Sequence, residues 1–356
     1  MSKLKSRLLW LLGSFLMTQL MACSGSPLKN DEDIVFFPTS ANQLADGNWN
    51  VPIHHWVFEK EENDLSRRIT QKVFSEMFEG IGISEEQADS PLLKQRMMWF
   101  LVDNERNKKI NINLADQQIS LHKTSANGHA FTQVQLDSNY IKPGEWLIYQ
   151  AIVPGKHKGE YTGEVQFIPE KGLSVISDID DTIKVSDVLD KKKLIKNTFV
   201  EPYQATYGFP QYYATLQQKG AYFHYVSASP WQLYPSLKRF LDSHYPKGTV
   251  TLRNFRIKDS SLFAFLKSSA DYKIKHIRQI IKRYPKHQFI LIGDSGEHDP
   301  EVYATIYELF PNNIQSIGIR SVEGSDLSPE RFKETFKHVP RKVWSVFKTP
   351  QDSPGS

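Results

Sequence analysis

Residues 178–182, with the sequence Asp-Ile-Asp-Asp-Thr, have the composition and spacing that most clearly indicate chemistry in this chain. They follow an apolar run at 173–176 that is typical of a buried strand ending near Ser177. Carboxylates crowded at the end of such a strand repel one another unless a cation lies between them. Mg2+ suits this position because it takes oxygen ligands and accepts phosphate oxygens. A carboxylate beside it can attack phosphorus, and a second one two residues later can transfer a proton.

Two other interpretations of this segment need to be weighed. A calcium-binding EF-hand loop would require Asp or Asn at position 182 and glycine at 183, whereas this chain has Thr182 and Ile183. The EF-hand interpretation is therefore poor. A plain acidic turn that caps the next helix stays open on this motif alone.

A second apolar run, at 221–226, predicts a strand that ends at Ser227. Ser229 then has the features of a helix N-cap, with Pro230 at the first helical position and Gln232 closing a capping box. The free N–H groups of a helix start attract anions, so this segment could bind phosphate. The alternative is that Ser227 only ends a strand.

Residues 272–284 have isoleucines on one face, which predicts an amphipathic helix capped by Asp271. Lys273 and Lys275 lie in its first turn, where the helix dipole favours acidic residues. Such a placement suggests a function beside an anion site, although a solvated lysine remains an equal alternative.

A third apolar run, at 289–292, is followed by Asp294, which we interpret as a further metal ligand. Asp299 follows five residues later and has an alternative role as the N-cap of a helix that begins with Pro300. Acidic groups thus follow two predicted strands of one α/β region.

These motifs, in this chain order, resemble those of the haloacid dehalogenase superfamily of aspartate-nucleophile phosphotransferases. The segments 177–184, 225–234 and 291–300 resemble more narrowly the App1-like phosphatidate phosphatase family. The resemblance is strong over roughly 170–325 and weaker in the first half of the chain. It implies an α/β fold in which a Rossmann-like haloacid dehalogenase core with a parallel sheet follows a β-rich accessory domain.

The resemblance also implies roles for individual residues. Asp178 would be the nucleophile, Asp180 the proton donor and acceptor, and Ser227 and Lys273 the groups that bind the phosphoryl oxygens. Lys275 remains a second candidate for the cationic role. The Mg2+ ligands would be Asp178, Asp180 through its backbone carbonyl, and Asp294, with Asp299 in support. Three further residues of the matching motifs are expected to contact substrate: Thr182, Ser229 and Trp231.

The first 23 residues indicate export and lipid attachment. Three basic residues precede an apolar stretch at 8–22, which is too short to span a bilayer and suits a signal peptide. It ends in Leu-Met-Ala-Cys23, which resembles a bacterial lipobox, and Cys23 is the single cysteine of the chain. An ordinary signal peptide with an incidental cysteine is the alternative. We expect a lipoprotein in a bacterial cell envelope, on the outer membrane facing the periplasm, since Ser24 rather than Asp follows the cysteine.

The charge balance does not support nucleic-acid binding, which would require a clear surplus of basic residues. The chain has 44 Lys and Arg against 40 Asp and Glu. Removal of residues 1–22 removes three cations and leaves a net charge of about +1. The basic run at 191–193, with Lys196, is more typical of a solvated face than of a surface for anionic headgroups.

The expected organisation follows from these signals. We predict a signal peptide at 1–22, a polar tether at 23–34, a β-rich accessory domain at 35–169, the phosphatase domain at 170–343 and a disordered tail at 344–356. The accessory domain could be a sandwich of short strands, with helical stretches near 62–78 and 91–101. Its His54, His55 and His129 are not at metal-ligand spacing, so we expect core or surface roles for them.

The predicted activity is Mg2+-dependent hydrolysis of phosphatidate to diacylglycerol and phosphate through an aspartyl-phosphate, with membrane contact through the lipid anchor. The reaction class rests on the residues, and the lipid substrate rests on the resemblance. Two alternatives remain: a periplasmic phosphatase for soluble phosphomonoesters, and an envelope-anchored binding protein with a vestigial site.

Overall fold

The computed structural model describes residues 25–60, 78, 84, 87, 90–137, 141–155, 157, 159–254 and 270–352. Within these residues the chain forms two β-sheets, and helices accompany mainly the second. The strands of the first sheet are Glu32–Phe37 (β1), Thr39–Gln43 (β2), Trp49–Glu59 (β3), Asp103–Asn104 (β4), Asn111–Leu114 (β5), Gln117–Ser120 (β6), His129–Leu136 (β7), Trp146–Ile152 (β8) and Thr162–Ile168 (β9). The strands of the second are Lys171–Ser177 (β10), Ala221–Pro230 (β11), Thr249–Arg253 (β12), Lys286–Asp294 (β13), Ile314–Arg320 (β14) and Trp344–Phe347 (β15).

The first sheet confirms the β-rich character predicted for the first half of the chain. Its long strand β3 pairs with four other strands, antiparallel in each case, and the path β1-β3-β2-β9-β8-β5-β6 joins the strands into one hydrogen-bonded sheet. The sandwich stays a prediction, and the strands join in a single hydrogen-bonded sheet. The reason is that β3 is long enough to pair with β1 near one end and with β2 near the other.

The second sheet is parallel throughout, as the alternation of strands and helices predicts. Its order is β12-β11-β10-β13-β14-β15. The chain therefore adds β11 and β12 on one side of β10 and then β13, β14 and β15 on the other side. The helices of the described chain are Pro91–Met98 (α1), Lys191–Ile195 (α2, continued by a π-helical turn at Lys196–Val200), Phe209–Gln218 (α3), Tyr234–His244 (α4), Ala270–Arg283 (α5), Asp299–Leu309 (α6) and Pro329–Thr335 (α7).

This strand order determines where a ligand can bind. Open parallel sheets bind ligands beyond the carboxyl ends of their strands, at the point where the order reverses. Here that point lies beside β10, between β11 and β13. The last four residues of β10 are buried, as expected for a strand covered on both faces, and Asp178 follows directly at its carboxyl end.

Both ends of the described chain are more ordered than predicted. The tether expected at 23–34 is wrong for the described residues 25–34: Leu28 is buried, β1 begins at Glu32, and the buried Glu32 carboxylate contacts Lys108. The disordered tail expected from 344 is wrong up to residue 352, because β15 pairs with β14 and Phe347 is buried. Each segment is held by a partner far away in the sequence, which local composition does not reveal.

The two sheets share apolar packing. Phe37 at the end of β1 contacts Trp231, which follows β11, with ring centroids 4.3 Å apart. Residues of both sheets belong to one buried cluster, which includes Trp56, Phe199 and Tyr234. The division into domains at residue 169 remains a prediction.

Several predicted features lie outside the described residues: the signal peptide, Cys23 and most of the helical stretch at 62–78. The other helical stretch, at 91–101, is confirmed in α1. Among the described helices, none is long and apolar enough to cross a bilayer.

Candidate active site

The predicted nucleophile is held in a closed turn at the end of β10. Asp178 is 2% exposed, and its N–H donates to the carbonyl of Ile292 on the neighbouring β13. Its Oδ2 accepts a hydrogen bond from Oγ1 of Thr182 at 3.0 Å. Thr182, which we expected to bind substrate, therefore orients the nucleophile in this structure. The contact leaves the position of the Asp178 carboxylate well defined.

Lys273 is the buried cation of the site. Its Nζ lies 2.8 Å from Oδ1 of Asp178, 2.9 Å from Oε2 of Glu297 and 2.5 Å from Oδ1 of Asp299. Burial alone lowers the pKa of this lysine, but the surrounding carboxylates outweigh that effect and raise it. Lys275 is exposed. The geometry therefore favours Lys273 over Lys275, because only Lys273 reaches the acidic cluster.

Asp294 and Asp299 complete the cluster at the end of β13. Oδ1 of Asp294 accepts hydrogen bonds from the N–H groups of Gly296 and Glu297, at 2.7 and 3.1 Å. Oδ2 of Asp299 accepts from the N–H of Asp294 at 3.2 Å. A side chain on Gly293 would collide with Asp299, since a Cβ there would lie 2.4 Å from Oδ2. Glycine at 293 is thus what lets Asp299 approach Asp294.

One carboxylate oxygen of this cluster is available to bind a cation. Among the described residues, Oδ2 of Asp294 is buried and has no hydrogen-bond partner. Burial raises the pKa of Asp294, and the carboxylates of Asp299 and Asp178 raise it further. Burial likewise raises the pKa of Asp178, against the opposing effect of Lys273. Such groups are stabilised as carboxylates when a metal ion binds them.

The residues present therefore fit a divalent cation. Asp178, Glu297 and Asp299 also offer oxygens within 4.8 Å of one another, but Lys273 already contacts all three. Asp178 and Asp294 are the better candidates to hold a metal, because Asp294 keeps a free oxygen. Asp299 contacts Lys273 through Oδ1 and accepts the N–H of Asp294 through Oδ2, which agrees with a supporting role beside Asp294.

Asp180 has an environment that is separate from the Lys273 cluster. Its Oδ1 lies 2.8 Å from Nζ of Lys184 and accepts from Oγ of Ser186 at 2.8 Å. Its Oδ2 accepts from Oγ of Ser227 at 3.0 Å and from Oγ of Ser229 at 2.8 Å. Burial raises the pKa of Asp180, but Lys184 and the hydrogen bonds lower it more strongly, so the net shift is downward. These contacts favour the carboxylate form of Asp180.

The segment after β11 differs from the sequence prediction. The strand continues to Pro230, a 3-10 turn follows at Trp231–Leu233, and helix α4 begins only at Tyr234. The predicted N-cap at Ser229 with Pro230 in the first turn is therefore wrong. Strand pairing of Pro230 with Arg253 takes precedence over the local helix-start signal. The helical segment thus begins at Trp231, one residue later than predicted, and Ser229 does not cap it.

Three predicted ligands of the substrate have other contacts here. Ser227 and Ser229 both donate to Asp180, and the N–H of Ser229 donates to Oγ of Ser227. Ser227 is buried, whereas Ser229 is partly exposed. Trp231 packs between the two sheets against Phe37 and His54. Their predicted roles in substrate binding stay predictions.

Sequence reasoning missed three functional neighbours. Glu297 contacts Lys273, and Lys184 contacts Asp180. The third is Asp181, whose backbone is in the left-handed region at φ 53° and whose carboxylate accepts the N–H groups of Ser186, Asp187 and Val188. Asp is one of the few residues that adopt this conformation readily. Each of the three is a charged residue within or next to a recognised motif, and this was the signal that could have found them. The turns that direct their side chains into the site cannot be deduced from a linear pattern.

The part of the chain that carries this site is similar to a known family. Residues 173–321 match the family model described as "Phosphatidate phosphatase APP1, catalytic domain". That range contains Asp178, Lys273 and Asp294 together with the other residues of the acidic cluster. Residues 173–321 are therefore similar to the catalytic domain of the App1-like phosphatidate phosphatases.

Two curated relatives support this relationship. Phosphatidate phosphatase APP1 of Saccharomyces cerevisiae is 38% identical over 168 residues, which cover 46% of this chain and 28% of the yeast protein. Uncharacterized protein C29B5.04c of Schizosaccharomyces pombe is 32% identical over 198 residues, which cover 54% of this chain and 32% of that protein. The chain thus matches about a third or less of the length of these relatives.

Proposed function

We propose that this protein is a Mg2+-dependent phosphatidate phosphatase that releases diacylglycerol and phosphate through an aspartyl-phosphate on Asp178. The observation that carries the proposal is the convergence of Asp178, Lys273 and Asp294 within the App1-type domain. The name of the yeast relative supports the lipid substrate. The strand order and the acidic groups at the strand ends also support assignment to the haloacid dehalogenase superfamily.

In the first step, a carboxylate oxygen of Asp178 attacks phosphorus and the bond to the lipid oxygen breaks. Thr182 fixes the carboxylate, and Lys273 offsets the negative charge of the phosphoryl oxygens. Mg2+, when bound by Asp178 and Asp294, supplies further charge neutralisation and aligns the phosphoryl group. Asp180, whose contacts favour the carboxylate form at rest, first takes up a proton from solvent, and we assign to it the delivery of that proton to the departing lipid oxygen.

In the second step, water attacks the phosphorus of the aspartyl-phosphate and Asp180 accepts its proton. The carboxylate form that Lys184 and the serine hydroxyls stabilise is the form required of a base. Phosphate leaves, and Asp178 returns to its starting state. The same residue can serve both steps because the proton that it delivers in the first is replaced in the second.

The decisive experiment is a substrate panel on purified residues 24–356, with and without Mg2+. We expect Mg2+-dependent phosphate release from phosphatidate in mixed micelles, and none from the Asp178→Asn variant. Release from soluble aryl phosphates but not from phosphatidate would contradict the lipid substrate. No release from any monoester at any metal concentration would contradict the whole proposal.

We further propose that Cys23 is lipidated and anchors the protein to the outer membrane of a bacterial cell, facing the periplasm. The proposal is supported by the basic and apolar segments at 3–22 and by the small residue before Cys23. Cell fractionation tests it: the wild type should sediment with membranes and Cys23→Ala should not. A wild type found in the soluble fraction would refute the anchor.

A further inference from the structure

A cavity of about 230 Å3 lies between the two sheets. One wall is a face of helix α5, where Tyr272, His276 and Arg283 line the cavity. Strand β12 and residues of the first sheet, including His54, form the other walls. The eleven residue-to-residue steps from Tyr272 to Arg283 correspond to about 16 Å of helix. The cavity is therefore elongated along α5.

One end of this cavity is adjacent to the active site. Tyr272 directly precedes Lys273, and Trp231, which also lines the cavity, follows Ser229 by two residues. Asn254, another lining residue, directly follows Arg253, whose charge interacts with Glu297 of the cluster and with Tyr272. A molecule with its phosphate beside Lys273 could therefore extend its remaining part into the cavity.

The walls select against cationic ligands. Among the described residues no Asp or Glu lines the cavity, and Arg283 is the one lining residue with a fixed positive charge. The absence of acidic lining leaves a neutral or anionic molecule as the suitable ligand.

The walls also combine apolar surface with hydrogen-bonding groups. Trp231, Leu252 and Ile280 contribute apolar surface. His224 is 1% exposed: its Nδ1 contacts Oγ1 of Thr249, while its Nε2 has no partner among the described residues. A buried polar atom without a partner gains a hydrogen bond when a ligand supplies one. Ester-linked acyl chains provide both apolar length and carbonyl acceptors.

We propose that this cavity binds the acylglycerol part of a lipid phosphomonoester, so that the leaving group lies along helix α5 while the phosphate lies beside Lys273. This inference rests on the proposed function, because it concerns the substrate of the same site. It assigns the specificity for a lipid to the junction of the two sheets, and thereby gives the first sheet a direct role in substrate recognition.

Variants that fill the cavity test the inference. Thr251→Phe and Gln279→Trp each place a large side chain on a lining position outside the catalytic cluster. Thr215→Phe and Gln217→Trp, on the exposed face of α3, are the matched controls. We expect the filling variants to raise the KM for long-chain phosphatidate at least tenfold, with kcat/KM for a small aryl phosphate within twofold of wild type. The controls should leave both values unchanged.

Calorimetric titration with dioctanoylglycerol supplies a readout that needs no turnover. The wild type should bind it, and both filling variants should bind at least tenfold more weakly while keeping the circular dichroism spectrum of the wild type. Equal binding by wild type and filling variants, or no binding by the wild type, would overturn the inference. If phosphatidate turnover is absent while aryl phosphate is cleaved, the lipid substrate of the proposed function fails; if the filling variants cleave phosphatidate as well as the wild type, only the cavity assignment fails.

Discussion

Nζ of Lys273 lies 2.8 Å from Oδ1 of Asp178, and both side chains are almost completely buried. The two residues are 95 positions apart in the sequence, on helix α5 and at the end of β10. A buried lysine beside a buried carboxylate is stable only because each offsets the charge of the other. The ion pair therefore stabilises the fold, and its lysine is placed to neutralise the charge of a phosphoryl group.

Replacement of Lys273 with methionine should damage both stability and activity. The variant leaves Asp178, Glu297 and Asp299 without their shared cation, and breaking a buried pair of this kind costs about 3–5 kcal/mol. We expect a lower unfolding midpoint in urea and phosphatase activity reduced by at least about 100-fold. Lys275→Met is the matched control in the same helical turn and should behave as wild type. A Lys275→Met variant that loses activity while Lys273→Met keeps it would reverse the assignment.

The variant Asp178→Asn should lose turnover while the protein stays folded. The amide has the shape of the carboxylate but is a poor nucleophile, so turnover should fall by at least about 1,000-fold. The thermal midpoint should stay near that of the wild type, since the variant also removes one charge from a crowded acidic cluster.

Asp181, three residues after Asp178, serves as the comparison, because its replacement should lower stability. Its carboxylate accepts three backbone N–H groups of the turn. Asp181→Ala should therefore lower the free energy of unfolding by about 1–3 kcal/mol, as expected when buried donors lose their acceptor. Substantial turnover by Asp178→Asn would show that another group attacks phosphorus.

The sequence motifs were sufficient to predict which chain segments meet, because parallel strands present their carboxyl ends on one edge of a sheet. Asp178 and Asp294 each follow a buried strand, and the register of β10 with β13 brings them together. The first turn of the amphipathic helix pointed to Lys273 and Lys275 alike, and their contacts in the structure distinguish them. For the two aspartates a local pattern and a simple topological rule contain the answer.

Other parts of the site depend on contacts that a linear pattern does not contain. Ser229 has the local features of a helix cap, yet the pairing of Pro230 with Arg253 extends the strand and turns the serine toward Asp180. Lys184 and Glu297 become buried through tight turns whose shape depends on distant packing. In the same way, Trp344–Phe347 becomes a strand only because β14 offers it an edge.

Divalent metal should stabilise the protein, and Asp294 should be required for the effect. A ligand that binds only the folded state adds roughly 2–3 kcal/mol at about 100 times its Kd, so Mg2+ should raise the thermal midpoint of the wild type. Asp294→Asn removes one of the two proposed ligands, and should abolish both this shift and the activity. Chelation with EDTA should return the wild type to its metal-free midpoint.

The metal-free Asp294→Asn variant should be no less stable than the metal-free wild type, because the substitution removes a buried negative charge. Asp242→Asn, on an exposed position of α4, is the control and should keep the full response to Mg2+. An Asp294→Asn variant that Mg2+ stabilises as strongly as the wild type would place the ion elsewhere.

Buried histidines of the first sheet should make the protein lose stability in mild acid. His55 is completely buried, and among the described residues neither of its ring nitrogens has a hydrogen-bond partner. Burial lowers the pKa of His55 from 6.5 to about 4, and that of His129 to about 3. Between pH 6.5 and about 4 the unfolded chain binds more protons than the folded protein. The free energy of unfolding is therefore highest above pH 6.5 and decreases as the pH falls toward 4.

The variant His55→Leu removes one of these titrating groups and should make the decrease shallower. Each such group contributes a slope of at most about 1.4 kcal/mol per pH unit over that range. At neutral pH the variant should be at least as stable as the wild type, because a buried group without partners is replaced by an apolar one of similar size. Urea unfolding at pH 7.5, 6, 5 and 4.5 measures the slope, with the exposed His338→Gln as control. A slope that is the same in His55→Leu and in the wild type would mean that His55 gains its proton as readily in the folded protein as in the unfolded chain.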